Sequence, residues 1–153
     1  MTNISSRWYP LSLLAISTLG FIDATYLTIQ HYTDLTLPCT ITQGCDLVTK
    51  SEYSSIAGVP VALLGALFYV GIFLTTYIIL ETKTQKNLRF VAYSTTAGFL
   101  FSLWFMYVQA FILHAFCQYC ILSAITSTAL FIASMVYVGR VSHLSRVATL
   151  DEE

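Results

Sequence analysis

Four stretches of this 153-residue chain are long and apolar enough to cross a bilayer, and no other feature limits its fold so strongly. A hydrocarbon core of about 30 Å needs about 20 residues of helix at about 1.5 Å each. The stretches run approximately over 8–30, 56–80, 90–115 and 119–139. In lipid every backbone N–H and C=O must find its partner within the protein, which a helix achieves by itself. Composition agrees, because 56% hydrophobic residues and a mean hydropathy of +0.72 exceed what a soluble core requires. The first stretch, "SLLAISTLGFIDATYLTIQ", has no small-residue cleavage site after a short apolar core, so it is expected to be a retained span. All connections are short except 31–55. The predicted fold is therefore all-α: an antiparallel bundle of four transmembrane helices, a single membrane domain over 1–153 with a long loop at 31–55 and a tail at 140–153.

Positive charge near span ends stays on the cytoplasmic side. Arg7 precedes the first span, Lys83, Lys86 and Arg89 separate the second from the third, and Arg140 and Arg146 follow the fourth. Only Lys50 falls on the opposite side. The expectation is a multi-pass protein of the cell (inner) membrane with both termini cytoplasmic. The long loop and the turn around Cys117 then face outward.

The four cysteines, Cys39 and Cys45 in the loop and Cys117 and Cys120 at the head of the fourth span, all fall on that outer face. Cysteines used as small apolar fillers would scatter through the spans. Outside the cytoplasm thiols meet an oxidising environment, and four of them allow three pairings, among which the sequence does not choose. Two structural disulfides are one use. Against it, a disulfide between Cys117 and Cys120 closes a very small loop and restricts the unfolded chain little. Redox exchange suits the spacing better, since residues i and i+3 share a helix face and a helix N-terminus stabilises a thiolate. A four-cysteine zinc site lacks the expected finger pattern. After Cys45, Leu47, Val48 and Ile56 alternate with Asp46, Lys50, Glu52 and Ser55, so a short amphipathic helix is expected to roof the bundle, and Pro60 is expected in the first turn of the second span.

The ordered set "CTITQGC", "DLVTKS" ending at Ser51, "GVPVALLGALFY" and "CQYC" resembles the vitamin K epoxide reductase family, specifically its bacterial and archaeal members. The likeness covers almost the whole chain. The disulfide bond formation protein B family also works in a four-helix bundle, but with its Cys-x-x-Cys in the first outward loop, the reverse of the order here. Some members of the resembled family carry a fused thioredoxin-like domain; this chain stops soon after the fourth span, so a separate partner is expected.

The resemblance implies a quinone-dependent thiol:disulfide oxidoreductase. Cys117 and Cys120 match the active-site pair, with Cys120 facing the quinone. Cys39 and Cys45 match the shuttle pair, Cys39 meeting a thioredoxin-fold, DsbA-like protein outside the membrane. Ser51 matches a hydroxyl that hydrogen-bonds a quinone oxygen. The electron acceptor is ubiquinone or menaquinone, and no nucleic acid is expected as a partner. Animal members carry an asparagine and a tyrosine for the naphthoquinone where Val61 and Ala124 stand here, so epoxide reduction is not implied.

Other residues carry their own arguments. Asp23 lies inside the first span, where an ionisable group is costly, and either relays protons near the quinone or makes a structural polar contact. His114, three residues before Cys117, either aids thiolate formation or is an interfacial polar residue. Trp104, with Phe105 and Tyr107 nearby, is a candidate for the quinone pocket, aromatic packing being the alternative. Gly58, Gly65, Ala66 and Gly98 are expected to let helices approach. A non-catalytic bundle stapled by its cysteines, acting as a scaffold or partner-binding subunit, is the competing function. Transport finds no internal repeat to support it.

Overall fold

Apolar runs this long become helices, and in a computed structural model the described residues form four long helices and one short one. The described residues are 8–33, 39, 44–82 and 85–150, without the side chains of 85–87 and 142–150. Helix α1 is Trp8–Thr33, α2 is Cys45–Thr49, α3 is Val61–Thr82, α4 is Gln85–Tyr107 and α5 is Gln118–Leu150. The segments Trp8–Thr33, Val61–Thr82, Leu88–Ile112 and Gln118–Val141 are long and apolar enough to span a membrane. The four-helix membrane architecture expected from hydropathy is thus the observed one. Arg7, Lys83, and the side chains of Lys86 and Arg146, used above for orientation, lie outside the described residues.

The bundle joins α1 to α3 and α5, and α4 to α5, while α3 and α4 meet less extensively. Leu13, Ala24, Tyr69, Ile72, Val91 and Leu130 form the main core. Leu19, Ile22, Leu67, Phe90 and Ile132 point outward, as side chains facing lipid would. Without a hydrophobic drive between helices in lipid, close approach and interhelical hydrogen bonds hold such bundles. Both are present. The Thr95 and Ser134 hydroxyls lie 2.6 Å apart between α4 and α5. Gly20 on α1 receives the Tyr69 ring of α3 so closely that an added Cβ would overlap it, and Gly98 on α4 receives Phe68 in the same way.

The loop differs in detail from the sequence expectation. The short amphipathic helix is present, burying Cys45 and Val48 and exposing Leu47, but it ends at Thr49 and does not extend to Ile56. A single 3-10 turn, Glu52–Ser54, follows it. Next comes a small hairpin of β1 (Ser55–Ile56) and β2 (Val59–Pro60), with Ser55 opposite Pro60 and Ile56 opposite Val59. Ala57 (φ 52°) and Gly58 (φ 80°) make its turn, both in the left-handed region that two-residue hairpins demand. Gly58 therefore serves the turn, with no neighbour within 4 Å of a Cβ there, rather than a helix contact. The hairpin also delays α3 to Val61, so Pro60 precedes the helix instead of lying in its first turn.

Candidate functional site

Cys117 is placed by the way α4 ends. The last turn, Val108–Ile112, widens into a π-helix, a feature often found beside functional sites. The chain then reverses through His114 at φ 49°, whose side chain is exposed. Gln109, 0% exposed, ties the reversal down. Its backbone carbonyl accepts from the Ala115 N–H at 3.1 Å, and its side-chain oxygen accepts from the Cys117 N–H at 3.0 Å. Cys117 is thereby held immediately ahead of α5, and its carbonyl accepts the Ile121 N–H at 3.0 Å.

The loop docks on this turn. A Cβ on Gly44 would lie 2.8 Å from Ala115 Cβ and 2.9 Å from the Phe116 nitrogen, so only glycine permits the approach without displacement. Cys45, at the next position, is 1% exposed and Cys117 is 0% exposed. Both belong to one apolar cluster with Leu27 and Val48, with Cys39 and Cys120 packed against it. Cys39 and Cys45 form a disulfide, with Cα atoms 6.3 Å apart, whereas Cys117 and Cys120 are free thiols. Two segments more than 70 positions apart thus bring their cysteines into one cluster.

The Cys117 thiol is brought down from the ordinary 9.0 to about 7. The main cause is the hydrogen bond with the Cys120 thiol; burial opposes it, the Cys120 and Tyr119 backbone N–H groups assist, and the Asp23 charge opposes it weakly. The backbone N–H groups at the start of α5 thus contribute, as the position suggested, but the neighbouring thiol contributes more, and the lowering falls on the first cysteine of the pair.

Below the cluster lies a cavity of about 310 Å³. Its walls are mostly apolar, including Ala24, Leu27, Val61 and Phe68, and Cys120 forms part of them whereas Cys117 does not. Leu64 on α3 and Phe101 on α4 line it and are also exposed, so it opens at the outer surface of the bundle between those two helices. Thr49, Ser54, Tyr69, Ser123 and Ser127 are the hydroxyl-bearing residues among those that line it. Size and lining suit a flat apolar ring with a few polar atoms.

The remaining sequence candidates stand around this cavity rather than in its wall. The Ser51 hydroxyl, partly buried just after α2, donates to the Val48 carbonyl at 2.7 Å. Trp104 is 44% exposed on the outer side of α4, its ring beside Phe101 and Phe105, which do line the cavity. Asp23 is 7% exposed, inside the bundle, and one carboxylate oxygen has no partner among the described residues. It acts electrostatically on Tyr69 and on both Cys117 and Cys120. Among the described residues no group of His, Cys, Asp and Glu is arranged to hold a metal ion.

Sequence reading missed Gln109, Tyr69, Ser123 and Ser127. Gln109 did carry a signal, being an amide inside an apolar span. The other three were lost among many tyrosines, serines and threonines. A family model described as the vitamin K epoxide reductase family matches residues 11–135. With its loop disulfide meeting a Cys-x-x-Cys at one end of a four-helix membrane bundle, the chain belongs to the vitamin K epoxide reductase family, membrane thiol oxidoreductases that work through cysteine pairs and generally use quinones.

Proposed function

We propose that this protein reoxidises a thioredoxin-fold, DsbA-like protein on the outer face of the cell membrane and delivers the two electrons to ubiquinone or menaquinone, supporting disulfide formation in exported proteins. The observation that carries the reading is the position of Cys120: it packs against the cluster that holds the loop disulfide and also lines the apolar cavity. One sulfur pair therefore has access to both a protein partner and a lipid-soluble acceptor.

Thiol exchange moves electrons by attack of a thiolate on a disulfide sulfur, each step releasing the next thiolate. A partner thiolate attacks Cys39, breaking the Cys39–Cys45 bond and leaving Cys45 as thiolate. The partner's second thiol then attacks its mixed-disulfide sulfur and frees Cys39. Cys45 attacks Cys117 of an oxidised Cys117–Cys120 pair, displacing Cys120, and Cys39 resolves the Cys45–Cys117 bond. The loop is again oxidised and the Cys117–Cys120 pair reduced. That pair returns two electrons and two protons to the quinone as its disulfide reforms, so partner dithiol and quinone become partner disulfide and quinol. The hydrogen bond between the two thiols lets charge pass from Cys117 to Cys120 by a short proton shift. Asp23, buried in the bundle with one carboxylate oxygen unpartnered among the described residues, relays protons to the quinone, a role its burial supports. Ser51, after releasing the Val48 carbonyl, polarises one quinone oxygen from the roof. Trp104 backs the aromatic wall.

The test is quinone reduction by the purified protein in detergent, with a reduced thioredoxin-fold donor and short-tailed ubiquinone or menaquinone analogues. Turnover is expected in wild type, absent in Cys120→Ala, and lost in Cys39→Ala only when the donor is a protein. No turnover with several donors, together with cysteines locked in one pairing, would leave a stapled scaffold as the function.

A further inference from the structure

A quinone has two carbonyl oxygens, and the reading above gives a donor to only one. Two turns down α5 from Cys120, Ser127 lines the same cavity. It is 4% exposed, and its hydroxyl has no partner among the described residues. That is unusual for a helical serine, which ordinarily returns its proton to the carbonyl three or four residues earlier. Here both of those carbonyls are taken. The Ser123 carbonyl accepts from the Tyr69 hydroxyl at 3.1 Å and from Thr126 at 2.9 Å. The Ala124 carbonyl accepts from Thr128 at 2.7 Å. Tyr69 itself is held by Thr126 at 2.8 Å and seated against Gly20, so the occupancy is built into the contact between α1, α3 and α5.

We infer that Ser127 is the donor to the second quinone oxygen, kept available because Tyr69 and Thr128 occupy its local acceptors, and that it positions the ring with its other edge toward Cys120. Cys120, Ser123 and Ser127 follow one another at i, i+3 and i+7, a single helix face about 10 Å long. A buried, unpaired hydroxyl at the wall of a dry cavity is costly, and a carbonyl oxygen of the ligand that it turns to meet removes that cost. Tyr69 is thus a positioning residue that acts through Ser127. The inference rests on a quinone occupying this cavity.

The test uses the full-length protein in detergent with a short-tailed ubiquinone isotope-labelled at its carbonyls. Infrared difference spectra are taken with both cysteine pairs oxidised, so that no turnover occurs. In wild type one carbonyl band is expected at lowered frequency, as a hydrogen-bonded carbonyl gives, and Ser127→Ala should return it toward the free position. In turnover, Ser127→Ala should raise the quinone KM about tenfold with a smaller change in kcat, the loss of one hydrogen bond in a dry site. Tyr69→Phe removes one of the two hydroxyls on the Ser123 carbonyl, leaving Thr126 at 2.9 Å and opening a place for Ser127 to turn back, so it should move band and KM the same way. The double variant should be no worse than Ser127→Ala alone, because both changes remove one bond. If wild type binds quinone and Ser127→Ala changes neither band nor KM, this inference is overturned and the function stands. If wild type neither binds nor reduces quinone, the reading of the cavity falls and this inference with it.

Discussion

Cys117 and Cys120 differ in surroundings more than in sequence. Cys117 is sealed between the loop and the α4 reversal, with its N–H on Gln109, while Cys120 opens to the cavity. The ionisation of Cys117 follows from that difference. With its pKa lowered from 9.0 to about 7, the reduced protein should gain thiolate absorbance as pH rises through about 7 and lose it as pH falls below. Replacing Cys120 with alanine removes the largest cause of the lowering, so the midpoint should move upward; Cys117→Ala should abolish this titration step. Ultraviolet titration of the reduced proteins measures it, and an unchanged midpoint in Cys120→Ala would refute the shared hydrogen bond.

At the scale of elements, glycines decide which helices and loops can touch. Gly44 lets α2 press against Ala115 and Phe116, and Gly98 lets Phe68 lie across α4. The two contacts have separate consequences. Gly44→Val should push the loop off the α4 reversal and slow turnover driven by a protein donor by about tenfold, since small misplacement of reacting groups is costly. Reduction by a small dithiol that reaches Cys117 and Cys120 directly should be much less affected. Gly98→Val should drive the Phe68 ring into the cavity, raising quinone KM with either donor. Parallel assays with both donors separate these effects, and equal losses on both sides for Gly44→Val would count against a docking role.

At the scale of the whole molecule, the bundle brings two distant cysteine pairs to one end and leaves a cavity that opens at its outer surface between α3 and α4. A relay demands that Cys45 and Cys117 bond in transit. Cys39→Ala combined with Cys120→Ala leaves only those two cysteines, and mild oxidation should join them in high yield, read by mass spectrometry of proteolytic fragments. If both remain free thiols, the loop does not pass electrons to the Cys-x-x-Cys and the order of steps is wrong.

Hydropathy is a property of consecutive residues, so the four spans, the loop between the first two and the placement of the cysteines were legible from the chain alone. The motif order around Cys39, Cys45, Ser51, Cys117 and Cys120 likewise pointed to the family that the match over residues 11–135 establishes. Helix rotation was not legible. A span that is apolar on every side carries no stripe to say which face turns inward, so Trp104 looked as suitable for the cavity as Phe101 or Phe105. That choice was made by close contacts between spans, such as Gly20 on Tyr69 and Gly98 on Phe68. The hidden role of Gln109 and the unpaired hydroxyl of Ser127 have the same origin: each depends on hydrogen-bond partners brought together only when helices and turns meet in three dimensions.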